Sequence, residues 1–353
     1  MDSDVIKAKS KFPIDFINEL YKEYSEKNAD KILKGLCSRR YTTLRVNTLK
    51  SSIENVKKVF DENDIQYENI SLIKNSLKVN DKNNEKGKAL CYNNAFIIKN
   101  KNENDLQKLD IYKEGKIYIQ SLSSMIPPLL LDLKQDENVL DMASAPGSKT
   151  TEMSSLMNNT GKIIANEIDR IRFEKLNYNI KMQGATNIET INKDGTILWK
   201  IFPEQFDKVL LDTPCSGEGR FEINDKKSYQ NWSTNLVKNL VKTQKELMES
   251  AIKCCKKGGT IVYSTCTLNR FENEEIIDYA LKNFNVRIDK INIDLHNTIK
   301  GNTKGVNEKL SETLKIVPNE NFEGFYIAKL IKLWYKNLVN YYKLMRNYFC
   351  GSR

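Results

Sequence analysis

Near the middle of the chain stands the stretch Asn138-Val139-Leu140-Asp141-Met142-Ala143-Ser144-Ala145-Pro146-Gly147-Ser148-Lys149-Thr150. Its first four residues are typical of a short buried strand, and a helix is predicted from Lys149 onward. The residues between them are small, so the backbone there can approach a ligand closely. The helix start and Lys149 suit an anionic group such as a carboxylate. Neither a Walker A motif nor a Gly-x-Gly-x-x-Gly fingerprint is present, so a tight turn without a ligand remains an alternative.

Strands and helices alternate around this stretch, between residues 116 and 333. The predicted strands are Ile117–Gln120, Asn138–Asp141, Gly161–Asn166, Asn187–Asn192, Phe206–Leu211 and Gly259–Tyr263, and the predicted helices are Ser123–Leu133, Lys149–Met157, Arg170–Gln183, Asn235–Lys256 and Glu272–Lys282. The alternation predicts an α/β fold with a doubly wound, Rossmann-like sheet. Ligands of such sheets bind beyond the carboxyl ends of the strands, so functional residues should follow strands.

Two further segments flank this domain. Residues 1–115 combine helical spacing at Phe12–Ser25 and Ala29–Cys37 with strand-like alternation at Tyr41–Leu49, which predicts a smaller α+β domain. Residues 334–353 mix aromatic and basic side chains. An amphipathic helix packed on its own domain is the main prediction for this tail, with base stacking as the alternative.

Charge and composition favour a nucleic-acid partner weakly. The 353 residues contain 56 Lys and Arg against 46 Asp and Glu, which gives a formal charge of +10. Such a surplus attracts polyanions, although a solvated lysine-rich surface gives the same count. The first residues lack the apolar core of a signal peptide, and no apolar run is long enough to span a bilayer. We therefore expect a cytoplasmic protein with no membrane partner.

Seven cysteines are scattered along the chain without a Cys-x-x-Cys pair. This pattern predicts reduced thiols and neither a disulfide framework nor a metal site. The single histidine, His296, lies outside every motif, which argues against acid–base catalysis by histidine.

Acidic and thiol side chains follow the later strands. Glu167 ends one strand, where an acid commonly holds a ribose hydroxyl pair, and Asp194 follows the next strand and suits an adenine amine, although either acid alone is also typical of a solvated loop. Cys215 and Cys266 each follow a strand and should reach the same edge of the sheet. Cys254 and Cys255 are predicted to lie in a helix, where packing is their expected role.

Three motifs together resemble one family. They are Ala145-Pro146-Gly147-Ser148-Lys149-Thr150, Asp212-Thr213-Pro214-Cys215-Ser216-Gly217-Glu218-Gly219 and Ser264-Thr265-Cys266-Thr267. Their order and strand-end context are similar to the Nop/Sun family of RNA cytosine-C5 methyltransferases, and the layout looks most like the bacterial ribosomal RNA enzymes of the RsmF type. The likeness runs from Arg45-Val46-Asn47-Thr48-Leu49 to Glu323-Gly324-Phe325-Tyr326-Ile327-Ala328.

The resemblance implies a class I methyltransferase domain at 116–333 that uses S-adenosyl-L-methionine, preceded by an RNA-binding domain at 1–115. It implies that the residues lining the cofactor are Ala143, Ser144, Ala145, Pro146, Gly147, Ser148, Lys149, Glu167, Arg172, Asp194 and Asp212, with Glu167 on the ribose and Asp194 on the adenine. Cys266 matches the family nucleophile, and Cys215 matches the cysteine that assists product release. Lys149 and Asp212 complete the implied catalytic set.

Two departures from the family pattern stand out. Many members carry Pro-His before the closing strand, where this chain has Pro318-Asn319-Glu320-Asn321. The chain also ends soon after the catalytic domain, so we expect no additional RNA-binding domain of the kind that larger RsmF-type proteins carry. A monomer is expected.

The chemistry of cytosine C5 methylation explains why such an enzyme needs a cysteine nucleophile. Cytosine C5 is a poor nucleophile until a thiolate adds to C6, so covalent catalysis is required. Asp212 is predicted to help protonate N3, and Cys215, directly or through a water, to take the C5 proton before Cys266 leaves. The target base must also leave its stack to reach the pocket.

Small-subunit ribosomal RNA is the predicted substrate, and transfer RNA is the main alternative because the motifs are the same for both. A DNA cytosine methyltransferase would instead use the cysteine of its Pro-Cys pair, here Cys215, as the nucleophile. A non-catalytic RNA-binding or ribosome-assembly factor is the alternative of another class, against which both cysteines and the complete cofactor loop argue.

Overall fold

The computed structural model describes residues 2–72, 92–293 and 295–334. Its helices are α1 Ser3–Lys11, α2 Ile14–Glu23, α3 Glu26–Cys37, α4 Ile53–Glu62, α5 Glu103–Gln107, α6 Asp110–Lys113, α7 Leu122–Leu130, α8 Ser148–Leu156, α9 Arg170–Gln183, α10 Thr234–Cys254 and α11 Glu274–Asn283. Its strands are β1 Thr42–Val46, β2 Tyr67–Ile70, β3 Ala95–Ile98, β4 Ile117–Ile119, β5 Asn138–Asp141, β6 Lys162–Asn166, β7 Ile188–Ile191, β8 Phe206–Asp212, β9 Cys255–Thr265, β10 Val286–Ile288, β11 Thr298–Lys300, β12 Leu314–Ile316 and β13 Phe325–Lys332.

The large sheet confirms the predicted α/β fold. Its strand order is β11-β12-β13-β9-β8-β5-β6-β7, with β10 also paired to β13. Five adjacent strands, β9, β8, β5, β6 and β7, run parallel to one another, whereas β13 runs antiparallel to β9. Apolar clusters cover both faces: one under α10 and α11, and another under α7 and α8. Burial on both faces explains why the parallel strands are near-continuous apolar runs in sequence.

Local sequence signals set the ends of the helices beside the site. Asp169 caps α9 by accepting a hydrogen bond from the Arg172 backbone N–H at 2.8 Å, and Gly184 ends this helix in the left-handed conformation. One prediction was wrong in detail: α10 ends at Cys254, and Cys255 begins β9 instead of continuing the helix. Both cysteines are buried.

The N-terminal residues form two separate structures. The strands β2-β3-β1-β4 make a small antiparallel sheet, and β4 extends it past residue 115, where the sequence divides the chain. Helices α1 to α3 pack instead against an apolar cluster that includes Phe221 and Trp232 of the large domain. The division at 115 and 333 remains a proposal, and the predicted tail lies, apart from Trp334, outside the described residues.

The Arg45–Leu49 segment joins the small sheet to the large domain. Buried Arg45 donates from Nε to Gln120 Oε1 at 2.9 Å and from Nη2 to Thr151 Oγ1 of α8 at 2.8 Å. Asn47 donates to the backbone carbonyls of Gly115 and Gln183 at 2.8 and 2.7 Å. This segment therefore fixes the small sheet beside the start of α8. No helix in the described parts of the chain is long and apolar enough to cross a membrane.

Candidate active site

A cavity of about 960 Å³ opens at the carboxyl ends of β5, β6, β8 and β9. The predicted site residues that line it are Ala143, Ala145, Pro146, Ser148, Lys149, Glu167, Arg172, Asp194, Asp212, Cys215 and Cys266. Residues 117–121, which lead out of the small sheet, contribute another wall. The structure thus brings residues from distant motifs around one space.

Ser144 and Gly147 shape the loop between β5 and α8. The Ser144 hydroxyl lies 3.0 Å from the Asp141 carbonyl oxygen and 2.8 Å from that of Asn166. This buried side chain therefore ties the loop to the ends of β5 and β6. Gly147 has φ +102°, and a Cβ there would lie 3.0 Å from Leu176 Cδ1. Glycine is required for this conformation, which starts α8 at the cavity wall.

Glu167 is a buried acid that organises the same loop. Its side chain is 2% exposed. Glu167 Oε2 accepts a hydrogen bond from the Ala145 backbone N–H at 3.3 Å, and Oε1 accepts one from the Asp169 N–H at 3.0 Å. Arg172 lies across it, with Nη1 3.5 Å from Oε2 and Nη2 donating to the Ala145 carbonyl oxygen at 2.6 Å.

Asp194 is exposed on the cavity wall. Its Oδ1 caps the short 3-10 helix Gly195–Lys200, accepting hydrogen bonds from the Thr196 N–H at 2.9 Å and the Thr196 hydroxyl at 2.8 Å. Both bonds use the same oxygen, so the other oxygen is available to a ligand in the cavity. Contact with an adenine stays a prediction.

Lys149 and Asp212 form an ion pair inside the cavity. Lys149 Nζ donates to Asp212 Oδ2 and to Ser124 Oγ, each at 2.7 Å, and Ser264 Oγ donates to Asp212 Oδ1 at 2.6 Å. Burial alone would lower the pKa of Lys149, but the Asp212 carboxylate outweighs burial, and the pKa is raised. The ammonium therefore stays protonated beside the carboxylate.

The two cysteines contact each other. Cys215 Sγ lies 3.1 Å from Cys266 Sγ, and both side chains are half-buried. The hydrogen bond from the Cys215 thiol, with help from the Arg220 charge, outweighs burial and lowers the pKa of Cys266. The same hydrogen bond, reinforced by burial, raises the pKa of Cys215 well above its ordinary value. The thiolate therefore forms first on Cys266.

Backbone contacts between glycines hold the two cysteine loops together. The Gly219 N–H donates to the Cys266 carbonyl oxygen, and the Gly324 N–H donates to the Gly219 carbonyl oxygen, each at 2.9 Å. A Cβ on Gly219 would lie only 1.9 Å from the Gly324 carbonyl oxygen. Glu272 adds to this support by accepting hydrogen bonds from the Ser216 N–H at 2.9 Å and from Gln244 Nε2 at 3.0 Å.

Gly219→Ala is expected to destabilise the protein by at least about 1–3 kcal/mol, because the clash is with backbone that has to shift. Urea unfolding would measure this loss. Gly195→Ala is the matched control, since its Cβ would meet first the flexible end of Leu247, at 2.7 Å. Equal stability of the two variants would contradict the close backbone crossing.

Several cavity residues carried no sequence signal for a role. Ser124 and Arg220 line the cavity but stand outside the motif positions to which roles were assigned. Glu323 belongs to the segment that carries the resemblance, without an assigned role, and it also lines the cavity. Only the folding of β13 against β9 brings Glu323 to this edge of the sheet.

The chain is similar to known RNA methyltransferases. Residues 128–331 match the family described as 16S rRNA methyltransferase RsmB/F. Over 294 residues, the chain is 36% identical to the tRNA (cytosine(49)-C(5))-methyltransferase of Pyrococcus abyssi. The aligned region covers 82% of this chain and 88% of that protein. It is also 36% identical over 296 residues to Ribosomal RNA small subunit methyltransferase F of Shewanella piezotolerans, covering 82% of this chain and 57% of that protein. This chain thus spans little more than half the length of the second relative.

A solved structure has the same fold. It is the crystal structure of a methyltransferase homolog from Pyrococcus horikoshii, which superposes with a TM-score of 0.76 at 27% identity. The match covers 94% of this chain and 100% of that one. The likeness therefore includes the small N-terminal sheet as well as the large one.

Proposed function

Because this chain belongs to the 16S rRNA methyltransferase RsmB/F family, whose model matches more than half of its length, we propose that its cavity methylates C5 of cytosine in RNA through a covalent bond to Cys266. The coarser part of this function rests on the family: the chain is an S-adenosyl-L-methionine-dependent RNA (cytosine-C5) methyltransferase. The observation that carries the covalent mechanism is the pair of thiols in contact at the cavity wall, with the lower pKa on Cys266.

The residues around the β5–α8 loop fit the cofactor. S-adenosyl-L-methionine, when bound, supplies the methyl group on its sulfonium. Glu167 is a buried carboxylate at the cavity wall, and the buried hydroxyl of Thr213, also on that wall, has no hydrogen-bond partner in the described part of the chain. A buried polar atom without a partner is costly, so a polar ligand beside Thr213 is favoured. We assign Glu167 to the ribose, Asp194 to the adenine, and the start of α8 with Lys149 to the carboxylate.

Glu167→Ala is expected to weaken cofactor binding by about 1–3 kcal/mol, the scale for losing a buried hydrogen-bond partner. Calorimetry with S-adenosyl-L-methionine would measure it. Ile171→Ala is a nearby control, because this apolar side chain is 83% exposed and does not line the cavity. Unchanged affinity of the Glu167 variant would show that the adenosine binds elsewhere.

The first chemical step belongs to Cys266, Lys149 and Asp212. The Cys266 thiolate forms a bond to C6 while N3 takes up a proton, and the electron pair moves towards C5, which then accepts the methyl group. We assign the N3 proton to the Lys149–Asp212 pair, since the ammonium donates to the carboxylate at 2.7 Å. In this assignment the proton passes from Lys149 Nζ through the Asp212 carboxylate to N3, so no histidine is needed.

The second step belongs to Cys215. After methylation, C5 carries both a proton and the methyl group. Loss of the C5 proton forms the C5–C6 double bond and releases Cys266 as thiolate, and N3 returns its proton to the Lys149–Asp212 pair. Bonding of Cys266 to C6 removes the negative charge that held the Cys215 proton. Cys215 then releases its own proton to solvent, and its thiolate, directly or through a water, takes the C5 proton.

Small-subunit ribosomal RNA is the first candidate substrate, supported by the family and by the Shewanella relative. Transfer RNA is the second, because the Pyrococcus abyssi enzyme is matched over 88% of its length. Incubating the protein with S-adenosyl-L-methionine and either RNA, followed by bisulfite sequencing, separates the two. Methylation of transfer RNA alone would overturn the first candidate, and methylation of neither, with cofactor bound, would overturn both candidates.

RNA binding by residues 1–115, a monomeric state and a cytoplasmic location remain proposals. Truncation at residue 115 would expose the apolar cluster under α1 to α3 and leave β4 without its partner β1. Charge-reversal variants of exposed lysines in the full chain are therefore the appropriate test of the N-terminal domain.

A further inference from the structure

Arg220 lies at the cavity wall as a cation with no hydrogen-bond or ion-pair partner in the described part of the chain. Its side chain is exposed and lines the cavity together with Cys215, Cys266 and Glu323. Lys149 is paired with Asp212 in the same cavity. By contrast, the Arg220 guanidinium makes no hydrogen bond or ion pair with any of the residues that the structure describes.

The backbone that carries Arg220 is fixed. The Arg220 N–H donates to the Gly217 carbonyl oxygen at 2.9 Å, closing the short 3-10 helix Glu218–Arg220. Arg40 donates from Nη2 to the Phe221 carbonyl oxygen at 2.9 Å and lies 3.0 Å from Glu222. The guanidinium folds back over Gly217, where a Cβ would lie 3.6 Å from Nη2. A rigid base therefore presents a cation whose hydrogen-bond donors are free.

The charges around Arg220 link it to the nucleophile. The charge on Cys266, followed by those of Glu323, Cys215 and Asp212, raises the pKa of Arg220. In return, Arg220 is the charged neighbour that lowers the pKa of Cys266. The titratable groups that face Cys266 are Cys215, Arg220, Asp212, Glu323 and Lys149.

The sheet order separates Arg220 from the cofactor loops. Apart from Asp212 and Thr213 at the end of β8, the residues assigned to the cofactor lie in the loops after β5, β6 and β7. Arg220 lies further along the loop after β8, and its neighbour Gly219 contacts Cys266 after β9 and Gly324 before β13. Arg220 lines the cavity together with Cys215 and Cys266, where the target base would meet the proposed nucleophile.

We propose that Arg220 is a catalytic residue whose guanidinium binds a phosphate oxygen of the target nucleotide and stabilises the Cys266 thiolate. Arginine suits this role because its planar fork matches phosphate and stays charged at every relevant pH. The inference rests on the proposed function, since it needs RNA as substrate and Cys266 as nucleophile.

Steady-state methylation of RNA by Arg220→Gln tests the phosphate contact. KM for RNA should rise about tenfold or more, and the slope of log KM against log salt should decrease by about one, while cofactor affinity is unchanged. Arg287→Gln is the control for the same loss of charge. Arg287 lies on β10, which pairs with the end of β13 remote from the cavity, and its side chain pairs with Asp289. Arg220→Lys keeps the positive charge and should recover part of the lost affinity for RNA. It also shows whether the fold tolerates a substitution at this position. A salt slope equal to that of wild type would overturn the contact.

Alkylation of the free enzyme tests the thiolate without RNA or turnover. Iodoacetamide labelling of Cys266, followed across pH by mass spectrometry, should show its midpoint at higher pH in Arg220→Gln than in wild type or Arg287→Gln. An unchanged midpoint would overturn the stabilisation. The alkylation readout is independent of methyl transfer, so loss of the proposed nucleophile role, seen as turnover by Cys266→Ala, would be recognised separately.

Discussion

Cys266→Ala is expected to abolish methyl transfer, with turnover falling by more than about 10³-fold, while affinity for S-adenosyl-L-methionine stays within a few-fold. The reason is that the thiol forms the bond to C6 and is not among the residues assigned to the cofactor. No other described cysteine replaces it: Cys215 has the raised pKa, and Cys254 and Cys255 are buried. Transfer of a radiolabelled methyl group to RNA measures the turnover, and calorimetry measures the cofactor.

Cys37→Ala is the matched control for this variant. Cys37 is a half-buried thiol in α3 whose pKa is raised by burial, and it does not line the cavity. Removing it should leave turnover close to wild type. Residual turnover of Cys266→Ala near that level would exclude the covalent mechanism, because the same chemistry would then proceed without the nucleophile.

Cys215→Ala is expected to trap the enzyme on its RNA. Addition of Cys266 and methyl transfer should still take place, but release needs removal of the C5 proton, which is assigned to Cys215. A denaturing gel should therefore show a covalent protein–RNA complex that requires S-adenosyl-L-methionine to accumulate. Wild type should show little of it, because elimination is fast.

The double variant Cys215→Ala/Cys266→Ala controls for non-specific crosslinking and should give no complex. The thiols lie 3.1 Å apart, so removing Cys215 also removes the hydrogen bond that lowers the pKa of Cys266. Addition should accordingly be slower at low pH in the single variant, and the complex should accumulate faster as pH rises. A single Cys215 variant that forms no complex and transfers no methyl group at any pH would exchange the roles of the two cysteines.

The sequence by itself determined the fold class, the family and the motif residues around the cavity. The apolar runs of β5, β6 and β8, each followed by a loop of small or acidic residues, are local signals, and parallel strands bring their carboxyl ends to one edge whatever the details of packing. The resemblance to RNA cytosine-C5 methyltransferases is confirmed by the family match. Short-range patterns were therefore enough to predict that the β5–α8 loop, Glu167, Cys215 and Cys266 lie at this edge of the sheet.

Only the tertiary structure decided how these loops meet. Gly219 and Gly324 are 105 positions apart in the chain, yet their backbones touch, and this crossing fixes the loop of Cys215 against the start of β13. Helices α1 to α3 look like part of an N-terminal domain in the sequence but pack on Phe221 and Trp232. Arg220 directly follows the motif of residues 212–219, and the sequence attached no role to it. Only the tertiary structure shows that it lies at the cavity wall near Cys266 without a partner among the described residues. Contacts between residues so distant in the chain leave no periodic trace in the sequence, because they depend on how the finished elements pack.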